Sequence, residues 1–167
     1  VAAESRRRPP AGAPGSIEDI ALERALEGLF RLGANRRFDS QQAEAIGATV
    51  TRAGYAVLRS LSDHGTLTLR DVAEAAAMDA ATASRQVGSL VDEGLVSRRT
   101  AADDARSIDL ELTARGRDVY ERIVRYRLAH LANVLEGWPD RDRATLARLV
   151  DSLVERLGAT PAPRTAL

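Results

Sequence analysis

Between Asp79 and Glu93, the side chains of Ala81, Thr82, Arg85, Gln86 and Ser89 fall on one side of a helix turning about 100° per residue. Ala80, Ala83, Val87, Leu90 and Val91 fall on the other side and are expected to face a core. The polar side sets one long cation among small and hydroxyl-bearing residues, and the acidic pair Asp92-Glu93 comes only at its far end. That combination suits a helix lying in the DNA major groove. Small residues permit close approach, hydroxyls reach phosphates, and an arginine fork matches guanine O6 and N7. A protein-docking helix can carry polar residues too, but it would need an apolar outer face, which is absent here.

A second constellation lies in the polar turn Ala101-Ala102-Asp103-Asp104-Ala105-Arg106. An arginine at the tip of a hairpin can enter a narrow minor groove, where the negative potential is enhanced. Asp104, two residues from Arg106, would hold its guanidinium in one orientation. Alone, the pair also fits a solvated loop with an ion pair of little worth. Arg98 and Arg99, on the strand leading into the turn, are expected to add cations on the same side.

Enzymatic chemistry finds no support. There is no Cys, and the only histidines are His64 and His130. No phosphate-cradling glycine loop, nucleophile elbow or metal-ligand spacing is present. The expectation is therefore no enzyme, no cofactor and no metal. His64 is placed at a helix C-terminus, where a cationic imidazole is favoured, and His130 at an interface or surface. All 24 basic residues are Arg and are balanced by 24 acidic ones, for a net charge of zero. Such a chain has no long-range pull towards nucleic acid, so DNA binding must rest on local placement. Residues 1–15 lack the apolar stretch of a signal peptide, and no apolar run is long enough to span a membrane. A cytoplasmic, membrane-free protein is expected.

These residues need an ordered frame, and 167 residues at 44% hydrophobic suffice for one core plus an arm. Residues 1–15, with three prolines and Arg6-Arg7-Arg8, are expected to be a disordered arm. N-terminal support and dimerisation helices are expected over 16–62. Ser16 and Asp19 form a capping box for the first of them, and Gly33 with Asn35 ends it. A weaker helix runs from about Asp39 to Ile46, and a third from Thr51 to Ser62 with Val57, Leu58 and Leu61 inward. Residues 63–112 read as a short bridge at Thr66-Leu67, a helix capped at Thr68, a tight turn at Ala77-Met78, and a longer helix capped at Asp79. Two strands, Leu95 to Thr100 and Ser107 to Leu112, complete a winged helix-turn-helix. Residues 113–157 form two helices, the first capped by Thr113 and striped with Tyr120, Ile123, Val124, Leu128, Leu131 and Leu135. Trp138-Pro139 breaks the chain before the second, and 158–167 is a tail. The apolar faces of the end helices exceed what one small winged domain can cover, so they are expected to join two copies.

The segments Asp79 to Arg85, Leu90 to Val96, Asp104-Ala105-Arg106-Ser107 and Leu112-Thr113-Ala114-Arg115-Gly116 resemble the multiple-antibiotic-resistance regulator (MarR) family. The resemblance covers roughly residues 50–157 and is strongest from Leu67 to Gly116. It implies an obligate homodimer with interlocked terminal helices, a recognition helix in the major groove and wing arginines in the minor groove. By position it implies that Arg85 reads bases, that Arg106 is the wing arginine and that Asp104 supports it. Thr82 and Ser89 fall at phosphate- or base-contacting positions. The family often has Pro or Ser where Ala80 and Ala81 stand, and a better helix former at Gly88, departures that bear on the target sequence and not on the fold. Many relatives bind aromatic acids, so Tyr55, Arg59 and Trp138 could line an effector pocket, but the expected role of Tyr55 and Trp138 is core packing and the effector-binding residues stay unassigned.

The expected fold is mainly α with a small β-hairpin wing, a winged helix-turn-helix flanked by terminal dimerisation helices. The expected function is a dimeric regulator of transcription, a repressor released by a small effector, acting on a palindromic double-stranded operator with half-sites about 10 bp apart. The alternative is a winged-helix module for protein assembly that does not bind DNA.

Overall fold

Helix starts follow the side chains that cap them. In the computed structural model, which describes residues 16–33, 36–100 and 108–160, Ser16 Oγ accepts the Asp19 N–H at 3.0 Å and opens α1 (Ile17–Gly33). The arm expected at 1–15 and Asn35 lie outside the described residues. Helix α2 (Arg36–Ile46) begins three residues before the expected Asp39, whose carboxylate sits in its first turn and complements the helix dipole there. Gln42, Ile46 and Val50 are buried, whereas α1 leaves Ile17, Leu29, Phe30 and Leu32 exposed. These helices belong to one compact unit that ends at Thr51.

The second unit starts with α3 (Arg52–His64), which buries Val57, Leu58 and Leu61 as expected. The division falls before α3 and not after residue 62. The reason is packing: α3 lies against α4, α5, α6 and β3 and forms the floor of the winged module. Strand β1 (Leu67–Thr68) is the anticipated bridge. Thr68 then caps α4 (Leu69–Ala75) in a reciprocal box with Asp71. Ala77 takes a left-handed φ of 50° in the turn, and Asp79 caps α5 (Ala80–Asp92). Gly94, at φ 70°, turns the chain into β2 (Val96–Thr100), which pairs with β3 (Ile108–Leu112) in register Val96↔Leu112 and Arg99↔Asp109. The sheet order is β1-β3-β2, antiparallel throughout.

Thr113 caps α6 (Ala114–Val134) and ties it down, its Oγ1 donating to the Gly94 carbonyl at 2.8 Å. Helix α7 (Asp140–Ala159) runs two residues past the expected boundary at 157. Only the first half of α6 is buried, through Gly116, Val119 and Ile123. Beyond it Leu128 and Leu131 are exposed, and on α7 so are Leu149, Val150, Val154 and Leu157. Trp138 is 46% exposed in the turn between them, which corrects the expectation that it packs in a core. No helix among the described residues is long and apolar enough to cross a membrane.

Candidate nucleic-acid interface

Helix α5 is held from below by Ala83, Val87 and Leu90, all buried against a framework that includes α3, α4 and β2. Val91 is half-buried. Ala80 is exposed, contrary to expectation. It is the first helical residue, and a Cβ tilted towards the helix N-terminus there projects past the end of the packed face. The opposite face carries Ala81, Arg85 and Ser89 exposed, with Thr82 and Gln86 half-buried. The wheel therefore places all five expected residues on the accessible side.

Three of the side chains along this face are linked. Asp79 Oδ1 accepts the Thr82 N–H at 2.8 Å, and Thr82 Oγ1 donates to Asp79 Oδ2 at 2.7 Å. Arg85 Nη2 in turn donates to Thr82 Oγ1 at 2.9 Å. The Thr82 hydroxyl, and then its N–H, hold the Asp79 carboxyl below its ordinary value of 3.8, so it is ionised at neutral pH. Sequence reading made Asp79 only a helix cap and missed this second role. The signal was present: Asp79, Thr82 and Arg85 recur every three residues, which stacks them on one helical edge. Ser89 is also engaged, its Oγ lying 3.4 Å from Glu93 Oε1.

On the wing, Arg98 and Arg99 do not share a side. Successive strand residues point to opposite faces, so the expectation of a common side fails. Arg98 lines a cleft of 220 Å³ with Leu69, Ser84, Val87, Ile108 and Leu110, beneath α5. Arg99 faces the other way and pairs with Glu111 Oε1 at 3.1 Å, a carboxylate that also lies 3.4 Å from Ser97 Oγ. Asp104 and Arg106 lie outside the described residues.

The suggested effector residues separate. Tyr55 stacks on Tyr120 with ring centroids 5.8 Å apart, and the Arg127 guanidinium carbon lies 3.7 Å above the Tyr55 ring. Burial, ahead of the nearby Tyr55 and Asp63, raises the Tyr120 hydroxyl above its ordinary pKa. Arg59 pairs with Asp63 at 3.4 Å and lines a separate cleft with His64 and Ala77. His64 ends α3 as expected, and His130 is on the exposed side of α6. Among the described residues no cluster of three or more His, Asp or Glu could hold a metal ion.

The MarR family model matches residues 50–108. The HTH-type transcriptional repressor MdtR of Bacillus subtilis is 27% identical over 139 residues, 83% of this chain and 86% of its own. Among solved structures, YusO of Bacillus subtilis is 25% identical with a TM-score of 0.60, over 84% of this chain and 99% of its own. Bordetella bronchiseptica BpsR, whose DNA binding is regulated by 6-hydroxynicotinic acid, shares the fold at 23% identity and a TM-score of 0.60, over 87% and 97% of the two chains.

Proposed function

We infer that this chain, which belongs to the MarR family, is a DNA-binding transcription regulator that reads a palindromic site as a homodimer. The observation that carries the reading is α5, with its polar face exposed and Arg85 braced there by Thr82. A braced arginine above small residues is suited to a base edge in the major groove. The wing beside it is proposed to add Arg106, with Asp104 orienting it, as the sequence suggests; of the two arginines on β2, which face opposite ways, Arg99 is already paired with Glu111. Dimerisation is supported by the exposed leucines and valines of α6 and α7 and by the exposed apolar face of α1, surface that a second copy would cover.

Control by repression and release is the finer part of the proposal. MdtR is named a repressor, and BpsR answers to a small aromatic acid. A ligand of that class is the proposed effector of this chain. The assembly-module alternative gains nothing from α5, where Ala81 is the one apolar member of the outer face. The test is a gel shift of the full chain on DNA from upstream of its own coding sequence, against random duplex, across a salt series. A complex that prefers the upstream fragment at every salt concentration supports the reading. Equal binding to both contradicts it, because phosphate contacts alone carry no sequence information.

A further inference from the structure

The direction of each hydrogen bond along α5 is fixed by chemistry. The ionised Asp79 carboxylate can only accept and a guanidinium can only donate. The Thr82 hydroxyl therefore gives its single proton to Asp79 and offers a lone pair to Arg85. Its proton is not available to a phosphate, the contact that sequence position suggested for it. Arg85 keeps four of its five N–H groups for other partners, enough for a two-donor fork on guanine.

We propose that Thr82 and Asp79 are positioning residues that hold the Arg85 guanidinium in one pose and so set the strength of its guanine preference. The proposal rests on the DNA-reading function inferred above. Arg85 is exposed, and an exposed arginine without a tether samples many rotamers that must be given up when it docks on a base. The brace meets part of that loss before DNA arrives. Its electrostatic sign makes the idea separable from simple charge effects. Asp79 is an anion beside DNA, so removing its charge should strengthen general affinity. The brace predicts that the same change weakens discrimination.

The test is selection of bound sequences from a random duplex library by the full chain and by Thr82→Val, Thr82→Ser, Asp79→Asn and Arg85→Ala. The base position read by Arg85 is the one whose preference disappears in Arg85→Ala. At that position Thr82→Val, which keeps the shape and loses the hydroxyl, should lower the guanine preference about fivefold. Thr82→Ser should restore it. Asp79→Asn should also lower it while leaving affinity for random DNA equal or higher. Asparagine caps a helix as well as aspartate does, so this variant keeps α5 intact. On duplexes with 7-deazaguanine at the position, which keeps O6 but lacks the N7 acceptor, the difference between parent and Thr82→Val should shrink. A guanine preference unchanged in both Thr82→Val and Asp79→Asn, or a Thr82→Ser variant that behaves like Thr82→Val, overturns the proposal. If the parent itself enriches no sequence, the DNA-reading function falls first and the proposal with it.

Discussion

Replacing Gly116 by alanine tests how α6 is joined to the winged module. A Cβ at this position would overlap the Leu95 carbonyl, which is backbone and cannot swing aside. The same carbonyl accepts the Thr113 N–H at 3.1 Å, and Thr113 Oγ1 donates to the Gly94 carbonyl at 2.8 Å. Room for the methyl comes only from lifting the start of α6 off Leu95, which stretches both bonds. Two weakened hydrogen bonds cost about 2 kcal/mol, and packing strain adds about 1–3 kcal/mol. The better helix propensity of alanine returns about 1 kcal/mol. The net loss is about 2–4 kcal/mol. Gly88→Ala is the control of opposite sign: its Cβ meets nothing within 4 Å, so it should gain up to about 1 kcal/mol. Urea denaturation followed by circular dichroism reads both variants at one fixed protein concentration, since association stabilises a chain by mass action. A Gly116→Ala midpoint equal to or above that of the parent would mean that the start of α6 is not held tightly against the Leu95 carbonyl.

Asp79 contributes stability that is complete above pH 3.8 and lost as the pH falls through its lower folded value, because hydrogen bonds from Thr82 depress its pKa. An NMR titration should place its midpoint below 3.8 and show Thr82→Val moving it back up; a parent midpoint at or above 3.8 argues against the bond. In the wing, Asp104→Ala should weaken DNA binding in the parent and have little effect in an Arg106→Ala background. Tighter binding by Asp104→Ala, as charge removal alone predicts, would reduce the wing to a charged loop. Light scattering should report a dimer at micromolar concentration, and Val154→Asp, on a residue 61% exposed in the single chain, should shift it towards monomer. A parent that stays monomeric contradicts the proposed assembly.

What the sequence made legible is what local chemistry decides. Thr68, Asp79 and Thr113 cap their helices because each carries an oxygen in reach of the N–H three residues on. The polar face of α5 and the buried Val57-Leu58-Leu61 face of α3 follow from helical period alone. What stayed hidden depends on neighbours distant in sequence. Nothing near residue 62 announces that α3 packs under α5, and nothing near Trp138 announces that its ring stays half exposed. Arg98 and Arg99 separate for a different reason: neighbours along an extended strand point to opposite faces, so the two arginines of β2 cannot share a side. The Thr82 brace was missed because residue types alone do not say whether a hydroxyl turns to its own helix or to a ligand.

Base reading by α5 through Arg85 separates operator from random DNA. The most direct measurement is the affinity of parent and Arg85→Ala for a selected operator and for random duplex of the same length at one salt concentration. Arg85→Ala should lose about 1–3 kcal/mol per contacted base pair on the operator and much less on random DNA. Equal losses on the two would mean that Arg85 touches phosphate only, and would contradict base reading.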